Sequence, residues 1–216
     1  MSVQAIVFDF DGTIVESVDT KTYAFRTLFG GYPQYLDRIV ALHLEHGGRS
    51  RYEKFAMIYR DVLKQDPLPG EFDELGRRFE ALVCDAVVAC PFVVGAPAFL
   101  EEYSARLPIV VVSGTPHGEL TGIIERRGLT SHFVEAHGSP PEKDQILREL
   151  LERRGWPPRD VLFVGDARSD WLAARAVGVR FVGRLAPGLP NIFDGTVPVI
   201  PDLTGLNRFV EHVASP

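Results

Sequence analysis

A chain of 216 residues, 45% of them apolar, holds enough hydrophobic material for one large core, or a core with a smaller satellite, without disulfide staples. A formal net charge of −6, with basic residues scattered among acidic ones, leaves no electrostatic footprint for nucleic acid, and no apolar run approaches the roughly 20 residues of a membrane span. The first residues lack the basic start and apolar stretch of a secretory signal, and Cys84 and Cys90 have no CxxC partner, so a reduced, cytoplasmic setting is expected.

The first apolar run, residues 3–8, ends at a charge, Asp9, and similar runs recur at 109–112, 161–164 and 179–182. Short apolar runs bounded by polar residues predict strands buried on both faces. Helical spacing lies between them, at 98–107, 119–127, 143–153 and 170–177, with Gly128, Gly155 and Gly178 as stop signals. Strand and helix in alternation predict an α/β fold, a doubly wound Rossmann-like parallel sheet covered on both faces. The stretch from 16 to 90 breaks this rhythm, because it carries helical patterns and no convincing strand. It reads as an inserted all-helical cap domain, with helices near 20–29, 36–46, 51–64 and 72–89. The core then comprises 1–15 and 91–216. Ser50 and Glu53 form a predicted capping box at the third of these helices. The tail is expected to add a peripheral strand at 197–200 and a helix at 204–213.

Chemistry collects after the predicted strands. Asp9-Phe10-Asp11-Gly12-Thr13 follows the first one, where ligands of open parallel sheets bind. Ser113-Gly114-Thr115 follows the second, and a hydroxyl with free amides before a helix suits phosphate oxygens. Ser139-Pro140-Pro141-Glu142 reads as a second capping box that places Lys143 in a first helical turn. Gly165-Asp166-Ala167-Arg168-Ser169-Asp170 follows the third apolar run of the core. Asp9, Asp11, Asp166 and Asp170 at one sheet edge cannot all stay ionised without a cation between them. Hard oxygen donors suit Mg2+ rather than zinc.

In this order the motifs Asp9-x-Asp11-Gly12-Thr13, Ser113-Gly114-Thr115, Lys143 and Gly165-Asp166-x-x-x-Asp170 resemble the four signatures of the haloacid dehalogenase superfamily, in particular its phosphoglycolate-phosphatase-like and phosphosugar-phosphatase-like members. The resemblance implies a magnesium-dependent phosphatase acting on a small phosphorylated metabolite. Asp9 would attack phosphorus to form an aspartyl-phosphate, and Asp11 would protonate the leaving alkoxide and then activate water. Thr13, Ser113, Gly114 and Lys143 would bind the phosphoryl group. Asp9, the Asp11 carbonyl and Asp166 would bind the metal, with Asp170 as a further ligand through water or as the partner that fixes Lys143. The carboxylate of Asp11 favours phosphoryl transfer over carbon–halogen cleavage.

Two other functions fit the same motifs: a phosphomutase of the β-phosphoglucomutase type, and a non-catalytic module that binds phosphorylated metabolites. Substrate selection is assigned to Arg49 and Arg51 in the glycine-hinged segment after Gly47-Gly48, and to His117; a plain helix–helix turn with solvated arginines is the alternative for that segment. His43 and His46, three apart with no third ligand of matching spacing, read as a surface helix face. Phe10, Trp156 and Trp171 read as packing residues. No nucleic acid or membrane partner is expected, and the chain is expected to act as a monomer or homodimer.

Overall fold

The computed structural model describes residues 3–211. Strand β1 (Ala5–Phe8) lies at the middle of a six-stranded parallel sheet with β2 (Ile109–Pro116), β3 (Glu135–Ser139), β4 (Val161–Gly165), β5 (Arg180–Arg184) and β6 (Val199–Ile200), in the order β3-β2-β1-β4-β5-β6. Alternation sorts the side chains. Ile6, Phe8, Ile109, Val111, Leu162 and Val164 face one hydrophobic cluster, and Ala5, Val7, Val110, Val112, Val161 and Phe163 face the other. Both faces are therefore apolar, which is why these strands read as unbroken hydrophobic runs.

Four helices, α1 (Val18–Leu28), α2 (Leu36–Glu45), α3 (Arg51–Met57) and α4 (Glu71–Ala89), lie between β1 and the rest of the core. Then come α5 (Ala96–Ser104) before β2, α6 (His117–Arg126) after it, α7 (Lys143–Arg154), α8 (Arg168–Val177) and a short α9 (Asn207–Val210). Phe99, Leu100, Leu120 and Ile124 cover the first face; Ile146, Leu147, Leu150 and Ala174 cover the second. The inserted helices pack on themselves through aromatic rings, with Phe25 against Phe29, Phe55 and Phe79. The chain leaves and re-enters the core side by side: Val15 bridges Phe92, and the Glu16 amide donates to the Pro91 carbonyl at 2.9 Å.

The structure departs from the sequence-based expectation at several elements. Strand β3 has no counterpart in the predicted runs, because Glu135, Ala136, His137, Gly138 and Ser139 contain a single aliphatic side chain. It lies at a sheet edge, where half-buried polar residues are tolerated. Ser139 ends this strand instead of capping α7, whose N-cap is Glu142 with no side-chain cap bond. At α3 the capping box forms as expected, with Ser50 accepting from the Tyr52 amide and Glu53 accepting from the Ser50 amide. That helix stops at Met57 and continues as a π-helical turn, Ile58–Leu63, ended by Lys64 at φ 56°. His43 is a correction: it is 5% exposed, because positions 39, 40 and 43 of α2 face the interior, and its ring stacks on Phe25 at 4.3 Å. The tail strand is confined to Val199–Ile200, and the last helix to Asn207–Val210; residues 212–213 of the predicted helix lie outside the described residues.

Candidate active site

The sheet order reverses at β1, whose neighbours β2 and β4 lead to opposite halves of the sheet, and the crevice beyond such a switch point is where α/β proteins bind ligands. The Asp9 amide prolongs the ladder by donating to the Val164 carbonyl at 2.9 Å, so Asp9 leaves the sheet in a fixed direction. The next residues turn back at once, with the amides of Ile14 and Val15 bonded to the Phe10 carbonyl. Gly12, at φ 77°, is required by space as well as by its dihedral angle: a Cβ there would lie 2.1 Å from Asp166 Oδ2. The first and last motifs are thus in direct contact. Arg184, at the end of β5, steadies the loop by donating to the Gly12 carbonyl at 3.0 Å and pairing with Glu16 at 2.5 Å.

Lys143 begins α7 and is 6% exposed, although it carries a charge. Its ammonium donates to Asp9 Oδ1 at 2.8 Å and to Asp170 Oδ1 at 2.5 Å. The other oxygen of Asp170 accepts from the Ala167 amide at 2.9 Å, so both its oxygens are engaged and Asp170 serves here to hold Lys143. Burial pushes the Asp9 carboxyl up to about 7, with Asp170 and Asp11 adding to the rise, against the pull of Lys143. Burial together with the charges of Asp9 and Asp170 also holds Asp166 well above the usual carboxylate range.

Asp11 stands apart from this cluster. Burial alone would raise it, but Lys21 at 2.5 Å, Ser17 at 2.6 Å and Thr115 at 2.8 Å all donate to its carboxylate, and its pKa is lowered. Lys21 comes from α1 and Thr115 from β2, so the inserted helices and the core both grip this residue.

A cation fits the donor set. Carboxylate oxygens of Asp9, Asp166 and Asp170 all lie within 4.8 Å of one another. Asp166 accepts no hydrogen bond from any described residue, and the charge of Lys143 offsets only part of the crowding by Asp9 and Asp170. All donors are hard oxygens, as a divalent cation such as Mg2+ requires. Thr13 is fully buried with its hydroxyl unbonded among the described residues, and Ser113 is 1% exposed with its hydroxyl accepting from the Thr115 amide at 3.1 Å.

The segment after α2 closes over this edge. A Cβ at Gly114 would lie 2.3 Å from the Gly48 carbonyl, and Ser169 donates to the Gly47 carbonyl at 2.9 Å. Beside this contact a cavity of about 260 Å³ is lined by Arg49, Glu53, Gly114, Lys143 and Ser169. Of the residues assigned to substrate selection, Arg49 reaches this cavity but pairs with Glu53 at 3.2 Å. Arg51 points elsewhere: it is 6% exposed, bridges Glu119 of α6 at 2.6 Å and stacks on Phe79. His117 is exposed and lines a separate cavity of about 230 Å³ with His137 and Arg153. Lys21, Thr115 and Arg184 carry no assigned role in the sequence motifs. The spacing of Lys21, four residues after Ser17, is a signal only once Ser17 is known to touch Asp11.

The sequence model of the haloacid dehalogenase-like hydrolases matches residues 3–178. Among curated proteins, the phosphoglycolate phosphatase of Synechococcus elongatus is 28% identical over 190 residues, covering 82% of this chain and 81% of its own. That of Chromobacterium violaceum is 27% identical over 185 residues, covering 82% of each chain. Among solved structures, a haloacid dehalogenase-like hydrolase from Bacteroides fragilis superposes with a TM-score of 0.76 at 16% identity, over 94% of this chain and 99% of that one. CbbY from Rhodobacter sphaeroides, solved with phosphate, superposes with a TM-score of 0.73 at 19% identity, over 94% and 96%. This chain belongs to the haloacid dehalogenase-like hydrolase family.

Proposed function

We propose that the chain is a Mg2+-dependent phosphatase that hydrolyses a small phosphomonoester through an aspartyl-phosphate on Asp9. The observation that carries this reading is the separation of two carboxylates two residues apart: Asp9 is oriented by Lys143, and Asp11 by Lys21, Ser17 and Thr115. A carboxylate oxygen of Asp9 attacks phosphorus as the bond to the leaving alcohol breaks, and Asp11 gives its proton to the departing alkoxide. Water then attacks the phosphorus, its proton passes to Asp11, and Asp9 is released. Two such steps replace one harder displacement. The ionised form needed for water activation is the one that Lys21 stabilises, and the proton Asp11 then takes from water is the one it gives to the next leaving alkoxide.

Lys143 and the amide of Gly114 are the donors for the transferring phosphoryl oxygens. Mg2+ would be held by Asp9, Asp166 and the Asp11 carbonyl, and when bound it would neutralise the crowded carboxylates and withdraw charge from the phosphoryl group. Residues 16–90 act as a cap on a core of 1–15 and 91–216, and the Gly48–Gly114 contact is its closed position, which keeps bulk water from the first step. The relatives named phosphoglycolate phosphatase make phosphoglycolate the first ester to test.

The test is phosphate release from a panel of phosphomonoesters that includes phosphoglycolate. Turnover that requires Mg2+ and stops with a chelator is the expected result; undiminished hydrolysis in the chelator overturns the reading.

A further inference from the structure

Helix α3 carries two buried cations, Arg51 and Lys54, 6% and 5% exposed. Arg51 is neutralised by Glu119. Lys54 has no carboxylate within ion-pair distance among the described residues, and its sole hydrogen-bond partner among them is His43 Nδ1, at 3.2 Å. An unpaired ammonium in a protein interior is costly and is not kept for stability.

The hydrogen bonds beyond His43 settle how that ring is protonated. Thr22 donates its hydroxyl proton to the Val18 carbonyl at 2.9 Å, so it can only accept from His43 Nε2, 3.2 Å away. His43 then carries its proton on Nε2, and the bare Nδ1 accepts from Lys54. Burial and the nearby Lys54 and Lys21 lower the His43 pKa to about 2, so the ring is neutral. Lys54 is therefore held by an uncharged partner through one N–H, with two N–H groups left over. Geometry sets Lys54 beside the catalytic edge: it is the fourth residue of α3, which follows Gly48, where a Cβ would lie 3.4 Å from Lys143 Nζ, and its partner His43 reaches Thr22, next to Lys21, the residue that pairs with Asp11 at 2.5 Å. Burial and the neighbouring Lys21 bring its pKa down to about 7. A docked anion would hold it protonated.

We propose that Lys54, positioned by His43, binds a carboxylate on the leaving alcohol and so determines the preference for acidic over neutral phosphomonoesters. The proposal rests on the phosphatase reading above. A carboxylate matches the site better than a second phosphate, because one ammonium beside a neutral imidazole compensates a single negative charge. Arg49 and Arg51, the obvious cations of the same segment, already have their counter-ions in Glu53 and Glu119.

The experiment compares phosphoglycolate with hydroxyethyl phosphate, in which CH2OH replaces the carboxylate. In Lys54→Met the ratio of kcat/KM for the acidic over the neutral ester falls about 10- to 100-fold, and Lys54→Arg keeps part of the preference. A ratio unchanged in Lys54→Met overturns the proposal. If Lys54→Met fails to fold, Lys54→Gln, which keeps a donor for His43 without the charge, reads the same ratio. Calorimetric binding of both esters to Asp9→Asn separates this failure from that of the phosphatase reading. A preference for the acidic ester that disappears when Lys54→Met is added supports the role of Lys54 even if the wild-type chain hydrolyses neither ester; equal binding of the two esters overturns it.

Discussion

Asp9 and Asp11 leave the same strand but meet different neighbours, one shared with Lys143 and Asp170, the other with Lys21, Ser17 and Thr115. The aspartates and Lys143 stand out in the sequence because their motifs follow apolar runs. Lys21, Lys54 and Arg184 do not, since an isolated cation on a helix or strand end has no local signature that separates it from a solvated one. His43 was concealed in the same way: its burial follows from the aromatic cluster around Phe25, which only tertiary packing assembles. At the edge of the sheet, Glu135 is gripped by Arg153 and Arg154 and touched by His137, and these bonds, the Arg153 pair first, hold its carboxyl down to about 2. A lowered carboxylate contributes stability above its unfolded pKa, near 4.5, and loses it as pH falls through the folded value. Because the arginines are half exposed the effect is small, about 0.5–1 kcal/mol. Glu135→Gln should therefore lower stability by that amount at pH 7, with the difference from wild type vanishing between about pH 4.5 and 2 in denaturant titrations. A difference that persists at the acid end would assign the effect to packing instead.

Among the elements, apolar strands and amphipathic helices were legible because each buries a continuous face. Strand β3 was not, because an edge strand with a single aliphatic side chain has neither alternation nor a hydrophobic run. The change from α3 to a π-helical turn at Ile58 also has no mark in the side-chain pattern, since the same apolar residues serve both. Contacts between elements are harder still to read. The approach of the Gly48 carbonyl to Gly114 brings two glycines together that are 66 positions apart, and nothing in either motif signals that it will meet the other. Gly114→Ala places a methyl group where that carbonyl sits, while Gly114 itself has no positive φ to protect. The expected outcome is at least a roughly tenfold fall in kcat/KM with Tm changed by less than about 2 °C. Equal activity in the variant would show that this contact is not part of the working closed state.

At the scale of the molecule, the alternation of strands and helices predicted the doubly wound sheet, and the family match over residues 3–178 and the structural neighbours agree with it. The way the inserted helices rest on the core was beyond the sequence, because it depends on pairs such as Arg51 and Glu119, on α3 and α6, whose side chains are 5% and 3% exposed. Breaking one side of a buried pair leaves the other charge stranded, at a cost of about 3 kcal/mol, while replacing both with apolar groups costs far less. Glu119→Gln is thus expected to destabilise the chain by about that amount, and Arg51→Met with Glu119→Leu to recover most of it. Additive losses in denaturant titrations would mean that the two residues act independently.

The central claim is that Asp9 accepts the phosphoryl group. It is tested most directly by acid-quenching the enzyme during turnover of phosphoglycolate with Mg2+ and mapping covalent phosphate by mass spectrometry. The account predicts phosphate on Asp9 and none in Asp9→Asn. Turnover without any phosphorylated peptide, or undiminished turnover in Asp9→Asn, would contradict it.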